Sequence, residues 1–98
     1  MIVASLEEAR AALAAGATVL ESPPAAAAHQ GIGWWREMLA ALDAEHGSFD
    51  SVLDCGPFVG LALAAIRDGI PCIRLDAPGA VLDRVRAIAR QAGVRVVQ

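Results

Sequence analysis

Three carboxylates, Glu21, Asp54 and Asp76, each stand directly after a short apolar run: Ala17–Leu20, Ser51–Leu53 and Cys72–Leu75. If those runs are parallel strands, the three acids gather on one edge of a sheet. A cluster of that kind binds a divalent cation or works as acid and base. The plainer reading is that Asp54 and Asp76 cap the loops and helices that follow them. Cys55, next to Asp54, falls between a strand end and a helix start. Free amides and the helix dipole at such a place lower a thiol pKa and favour a nucleophilic thiolate. His29, in a loop on the same edge, is then the candidate base. The plainer reading of Cys55 is a small buried apolar residue, and Cys72, entering a strand at the opposite edge, reads as core.

Gly56-Pro57-Phe58-Val59-Gly60 opens a predicted helix, and amides there suit a small anionic ligand. The stretch lacks the glycines of a dinucleotide or phosphate loop. Gly31-Ile32-Gly33 is no nearer, because Arg36 stands where a third glycine is needed. Trp34 and Trp35 are adjacent, so on a helix they point about 100° apart. One faces a core and the other is left for a pocket or a partner. Arg36, beside them, offers a cation to an anionic group. The candidate ligand-binding set is therefore Ser22, Trp35, Arg36, Asp54, Gly56 and Asp76, with Cys55 and His29 as the catalytic pair and no metal ligands or cofactor assigned. A phosphorylated receiver domain also carries an aspartate after its third strand. Here, however, the first strand ends in Ala4-Ser5 without paired acids, and the chain has no lysine.

The elements that must position these residues alternate along the chain. Ile2–Ala4, Ala17–Leu20, Ser51–Leu53, Cys72–Leu75 and Val94–Val97 read as five strands. Helical patterns fill the gaps: Ser5 as N-cap of a helix to about Ala15, Gly33 to about Glu45, Pro57 to Asp68, and a last helix with Val81, Leu82, Val85, Ile88 and Ala89 inward. Ala25–Gln30 fits either a helical turn or a loop. Pro57 is expected in the first turn of its helix, after a trans bond, because its missing N–H is unpaired there anyway. That helix is apolar on every side until Arg67, as in a helix buried all round. Alternation of this kind implies a parallel sheet with helical crossovers. The expected fold is one α/β domain over residues 1–98, a small three-layer wound sheet of five parallel strands in the flavodoxin-like order 2-1-3-4-5. A partial (βα) barrel half is the alternative. Ligands of such sheets sit at the carboxyl ends of the strands.

Composition narrows the function classes. Net charge is −3, with no basic patch of the kind nucleic acid requires. No apolar run approaches the roughly 18 residues of a membrane span. No signal segment is visible, and two cysteines do not make a disulfide framework, so a cytoplasmic protein with free thiols is expected. Without lysine there is no Schiff-base chemistry and no Walker-type loop. Hydrophobic residues reach 56%, more than one small core needs. In the order 2-1-3-4-5 the last three strands keep one face bare, so a homodimer is expected.

The segments Glu21-Ser-Pro-Pro-Ala-Ala-Ala-Ala-His-Gln-Gly-Ile-Gly-Trp-Trp and Leu53-Asp-Cys-Gly-Pro-Phe-Val-Gly-Leu-Ala-Leu-Ala-Ala-Ile-Arg-Asp-Gly resemble a group of short, uncharacterised bacterial α/β proteins of about this length. The resemblance implies a stand-alone small domain and brings no activity with it. Two functions stay open. One is an oligomeric ligand-binding or regulatory module with its site at the strand carboxyl edge. The other is a small enzyme using Cys55 or the Glu21, Asp54 and Asp76 carboxylates.

Overall fold

The fold is described from a computed structural model covering all 98 residues. Helix α1 (Leu6–Ala14) begins at the expected cap: Ser5 Oγ accepts the Glu8 N–H at 3.1 Å, and Glu8 Oε1 accepts the Ala4 N–H at 2.9 Å. The reciprocal bond reaches one residue further back than in the usual capping box. The remaining elements are β1 (Val19–Glu21), α2 (Ala26–His29), α3 (Ile32–His46), β2 (Asp50–Asp54), α4 (Val59–Arg67), β3 (Cys72–Arg74), α5 (Gly79–Ala92) and β4 (Arg95–Val97). The ambiguous Ala25–Gln30 stretch holds the short helix α2.

The strands are parallel and pair in chain order, β1-β2-β3-β4. The expected fifth strand at Ile2–Ala4 is reduced to one parallel bridge, Ile2 to Glu21, on the outer edge of β1. The Val3 N–H donates to the Glu21 carbonyl, and the Glu21 N–H to the Met1 carbonyl, both at 2.8 Å. This corrects the order 2-1-3-4-5, which seats the first strand inside the sheet. So short a segment holds only one ladder. The longer β2, with Ser51, Val52 and Leu53 all buried, takes the inner place beside β1.

Register then decides which residues share a face, since side chains alternate along a strand. Leu20, Ser51, Leu53, Ile73 and Val96 fall on one face. Ile2, Val19, Glu21, Asp50, Val52, Asp54, Cys72, Arg74, Arg95 and Val97 fall on the other. One hydrophobic cluster joins Leu20, Leu53 and Ile73 of the first face to buried residues of every helix: Ala9 and Ala12, Ala26 and Ala27, Trp35, Met38 and Leu42, Ala62, Ala65 and Ile66, and Leu82, Val85 and Ala89. Val52 and Cys72 are buried but lie outside that cluster. All the helices therefore pack on one face, giving two layers where the sequence implied three. The helix-free face runs across the whole sheet. It is not the apolar surface expected for the last strands, because Glu21, Asp54, Arg74 and Arg95 stand on it.

Two helix expectations also change. Helix α4 starts at Val59 with Phe58 as N-cap, so Pro57 sits in the preceding turn, with a trans bond, and not in the first helical turn. Its outer surface is half-buried at Leu61, Leu63 and Ala64, so it is not buried all round. In α5 Ile88 points outward and is 49% exposed, while Val85 and Ala89 hold the inward stripe.

Candidate functional site

The carboxyl edge is organised around Asp54. Strand β1 cannot continue past Ser22, because Pro23 and Pro24 follow. The Ser22 hydroxyl accepts the Asp54 N–H at 2.8 Å and donates to the Pro23 carbonyl at 3.1 Å, tying the end of β1 to the end of β2. Asp54 Oδ1 accepts two amides, Gly56 N–H at 2.7 Å and Ala25 N–H at 3.1 Å. Both donors have left-handed backbones, with φ 57° at Gly56 and 54° at Ala25. For an alanine this conformation costs about 1–2 kcal/mol. Ala25 is held there by its bond to Asp54 and by the close approach of Gly56, where any Cβ would meet the Ala25 Cβ at 3.2 Å.

Arg74 completes the arrangement from β3. Its Nη2 lies 2.7 Å from Glu21 Oε1, and its Nη1 lies 3.9 Å from Asp54 Oδ2. Glu21 and Arg74 stand on strands separated by β2, about 9.6 Å apart. The bridge they form must therefore cross over β2, whose side chains on this face are Val52 and Asp54. That roof accounts for burial of Val52 on a face with no helix. The hydrogen bond from Arg74, helped by its charge, holds the Glu21 carboxyl below the usual glutamate range and raises the Arg74 guanidinium in return.

Of the residues expected at the site, Ser22, Asp54, Cys55, Gly56 and Asp76 do lie on one edge. The Asp76 N–H donates to the Gly56 carbonyl at 2.9 Å. Asp76 itself is exposed, and no three histidine, cysteine or acidic side chains gather as a metal site, so the acids do not form the cation-binding cluster considered for them. Cys55 is 0% exposed, and burial with the neighbouring Asp54 charge pushes its thiol up to about 12. The expected depression is reversed, because loss of hydration outweighs the helix end when the chain folds the sulfur into the core. His29 is exposed, and its side chain makes no hydrogen bond to Cys55. Two of the amides proposed for an anion are already used, Gly56 N–H by Asp54 and Phe58 N–H by the Cys55 carbonyl at 3.2 Å.

Trp35 and Arg36 do not belong to this edge. Trp35 is 0% exposed in the core, and its indole N–H has no partner. Trp34, with its ring centroid 5.5 Å away and tilted by 51°, is the half-buried one of the pair. Arg36 pairs with Asp68 at 3.1 Å, just past the end of α4 and toward the opposite edge of the sheet. Sequence reasoning missed Arg74. The signal for it is a lone charge between Ile73 and Leu75 in an otherwise apolar strand, in register with Asp54. Nothing in the sequence announces the left-handed Ala25.

No protein-family model, curated protein or solved structure matches this chain. No helix is long and apolar enough to cross a membrane.

Proposed function

We propose that this chain is a small α/β binding or regulatory module that works as a homodimer, with its site at the carboxyl end of the helix-free sheet face. The observation that carries the reading is an all-parallel sheet with every helix on one side. Parallel sheets occur almost always with both faces covered. Sequential strand order with helices on a single face is also the layout of a (βα) barrel half, whose open face is the inside of a barrel.

A second copy suits that face because its charges are divided. Glu21, Asp50 and Asp54 stand on β1 and β2, while Arg74 and Arg95 stand on β3 and β4. A two-fold axis parallel to the strands sets the acidic half of each copy over the basic half of the other. An axis perpendicular to them would set like charges together, so electrostatics selects the first arrangement. The Glu21–Arg74–Asp54 row then lies between the copies, where a small polar ligand would be enclosed. The enzyme reading loses its nucleophile, because a buried thiol near 12 stays protonated at neutral pH.

Sedimentation velocity at micromolar concentration tests the reading. A dimer is expected for the wild type, and a folded monomer for Arg95→Glu, which reverses an exposed charge on the basic half. A wild type that stays monomeric across that range overturns the proposal, and so does an Arg95→Glu dimer as tight as the wild type.

A further inference from the structure

We infer that a groove at the opposite, amino-terminal edge of the sheet is a binding site for a small uncharged molecule with an apolar body and one hydrogen-bonding head group. This site is separate from the dimer face and does not depend on it. The groove is open to solvent and has a volume of about 290 Å³ between the second half of α3 and the turn joining α4 to β3. That is at the lower end of ligand-site volumes. Its walls include Leu39, Phe49 and Ile70, and Arg36 and Asp43 also line it.

Ser51 is what marks it as more than a surface crease. It stands on β2 in the core-facing row shared with Leu20, Leu53 and Ile73, where an aliphatic residue would otherwise complete the packing. Its residue is 5% exposed, yet its hydroxyl makes no hydrogen bond within the chain, and it lines the groove. Ser22, the other buried polar residue, is fully engaged by Asp54 and Pro23. The Trp35 indole N–H is the one fully buried side-chain polar atom left without a partner, so the Ser51 oxygen is open at the groove, where it is free to bond a ligand head group in place of water.

The chemistry of the lining favours a neutral head. Arg36 is already held by Asp68, and Asp43 offsets its charge at the groove. A single hydroxyl cannot repay the hydration lost by a buried ion. The head group is therefore an alcohol, phenol or carbonyl reaching Ser51, with an aromatic or branched body against Leu39, Phe49 and Ile70.

Titration of the labelled protein with phenol, toluene and benzoate, followed by amide NMR shifts, tests this. Saturable phenol shifts are expected at Phe49, Ser51 and Ile70, with phenol binding about three- to tenfold more tightly than toluene, the worth of one hydrogen bond. A purely apolar crease would reverse that order, since toluene is the more hydrophobic probe. Ser51→Ala is expected to bring the phenol-to-toluene ratio to one or below, with spectral dispersion kept. Leu39→Trp, at the half-buried wall, is expected to abolish phenol binding by filling the groove, and serves if Ser51→Ala does not fold. Absence of saturable phenol shifts, tighter binding of toluene by the wild type, or an undiminished ratio in Ser51→Ala overturns the inference. Benzoate binding more tightly than phenol overturns the neutral head group.

Discussion

Replacing Asp54 by alanine separates a structural carboxylate from a functional one. In the native state Asp54 Oδ1 takes two amide N–H groups, at 2.7 and 3.1 Å, and its side chain is only 16% exposed. Hydrogen bonds to a charged group contribute about 1.5–3 kcal/mol each, and removing the acceptor leaves both donors unpaired. Part of this is recovered, because the 22–25 and 55–58 loops are at the surface edge and can admit water, and because Arg74 keeps Glu21. The expected loss is about 2–4 kcal/mol, a large share of the roughly 5–15 kcal/mol that holds a domain together. For a domain of this size that lowers the melting temperature by about 10 °C or more. Asp54→Asn keeps an acceptor oxygen and the side-chain shape, and is expected to lose about 1 kcal/mol. Urea and thermal unfolding followed by circular dichroism read both. Residues held for chemistry usually stabilise the fold when removed. An Asp54→Ala protein as stable as the wild type, or more so, would refute the tie and return Asp54 to the list of candidate catalytic groups.

Three further outcomes follow from the same edge. Glu21 has a depressed carboxyl because of Arg74, so its contribution is present above the ordinary glutamate value and is lost as pH falls through the lower folded one. The stability gap between wild type and Glu21→Gln is expected to be constant at neutral pH and to close as pH falls below the ordinary glutamate range in acid-unfolding curves; a gap that widens on acidification contradicts the bridge. Cys55 and Cys72, 0% and 1% exposed, are expected to resist a thiol reagent at pH 7 and to react fully in denaturant; rapid native labelling of Cys55 would restore the thiolate reading. Gly56→Ala places a Cβ 3.2 Å from the Ala25 Cβ on a φ of 57° and is expected to cost about 1–3 kcal/mol. In an Ala25→Gly background the contact disappears, so a double-mutant cycle by urea unfolding should show the two changes to be coupled, and strict additivity would argue against it.

What the sequence made legible was periodicity and punctuation. The cap at Ser5, the strands around Leu20, Leu53, Ile73 and Val96, the ends of α3 and α5, and the sharing of one edge by Ser22, Asp54 and Asp76 all follow from residue type and spacing. Strand order was not legible, because it depends on which neighbour a three-residue segment at Ile2 finds, and either side of β1 is compatible with its pattern. The layer count went wrong with it, since chain-order pairing moves every helix to one face. Local chemistry also misled at Cys55. Position beside a helix start suggested activation, but the thiol's protonation follows from its burial, which is a property of the packed core. Arg36 stands next to Trp35 in sequence, yet the helix carries one into the core and the other to Asp68. Arg74 was overlooked because a lone charge inside an apolar strand has meaning only once the strand beside it is known.

The helix-free face explains how a parallel sheet can be left open without exposing its middle. Val52 and Cys72 are buried there without a second apolar layer: the Glu21–Arg74 bridge crosses the strand that carries Val52, and Cys72 stands in register with Arg95 on the neighbouring strand. Of its aliphatic residues only Ile2 and Val19, toward one edge, are clearly exposed. An interface on such a face is held by arranged charge more than by apolar area, so it has the character of a reversible contact and not of an obligate one. Salt then discriminates the surfaces. If the copies meet through Glu21, Asp50, Asp54, Arg74 and Arg95, raising sodium chloride from about 0.05 to 1 M shortens the screening length from roughly 14 to 3 Å and should dissociate the dimer. A dimer formed through the apolar outer side of α4, at Leu61, Leu63 and Ala64, would hold or tighten under the same change. Sedimentation across that salt range therefore locates the contact: a dimer indifferent to salt rules out the sheet face and leaves α4 as the surface that joins the copies.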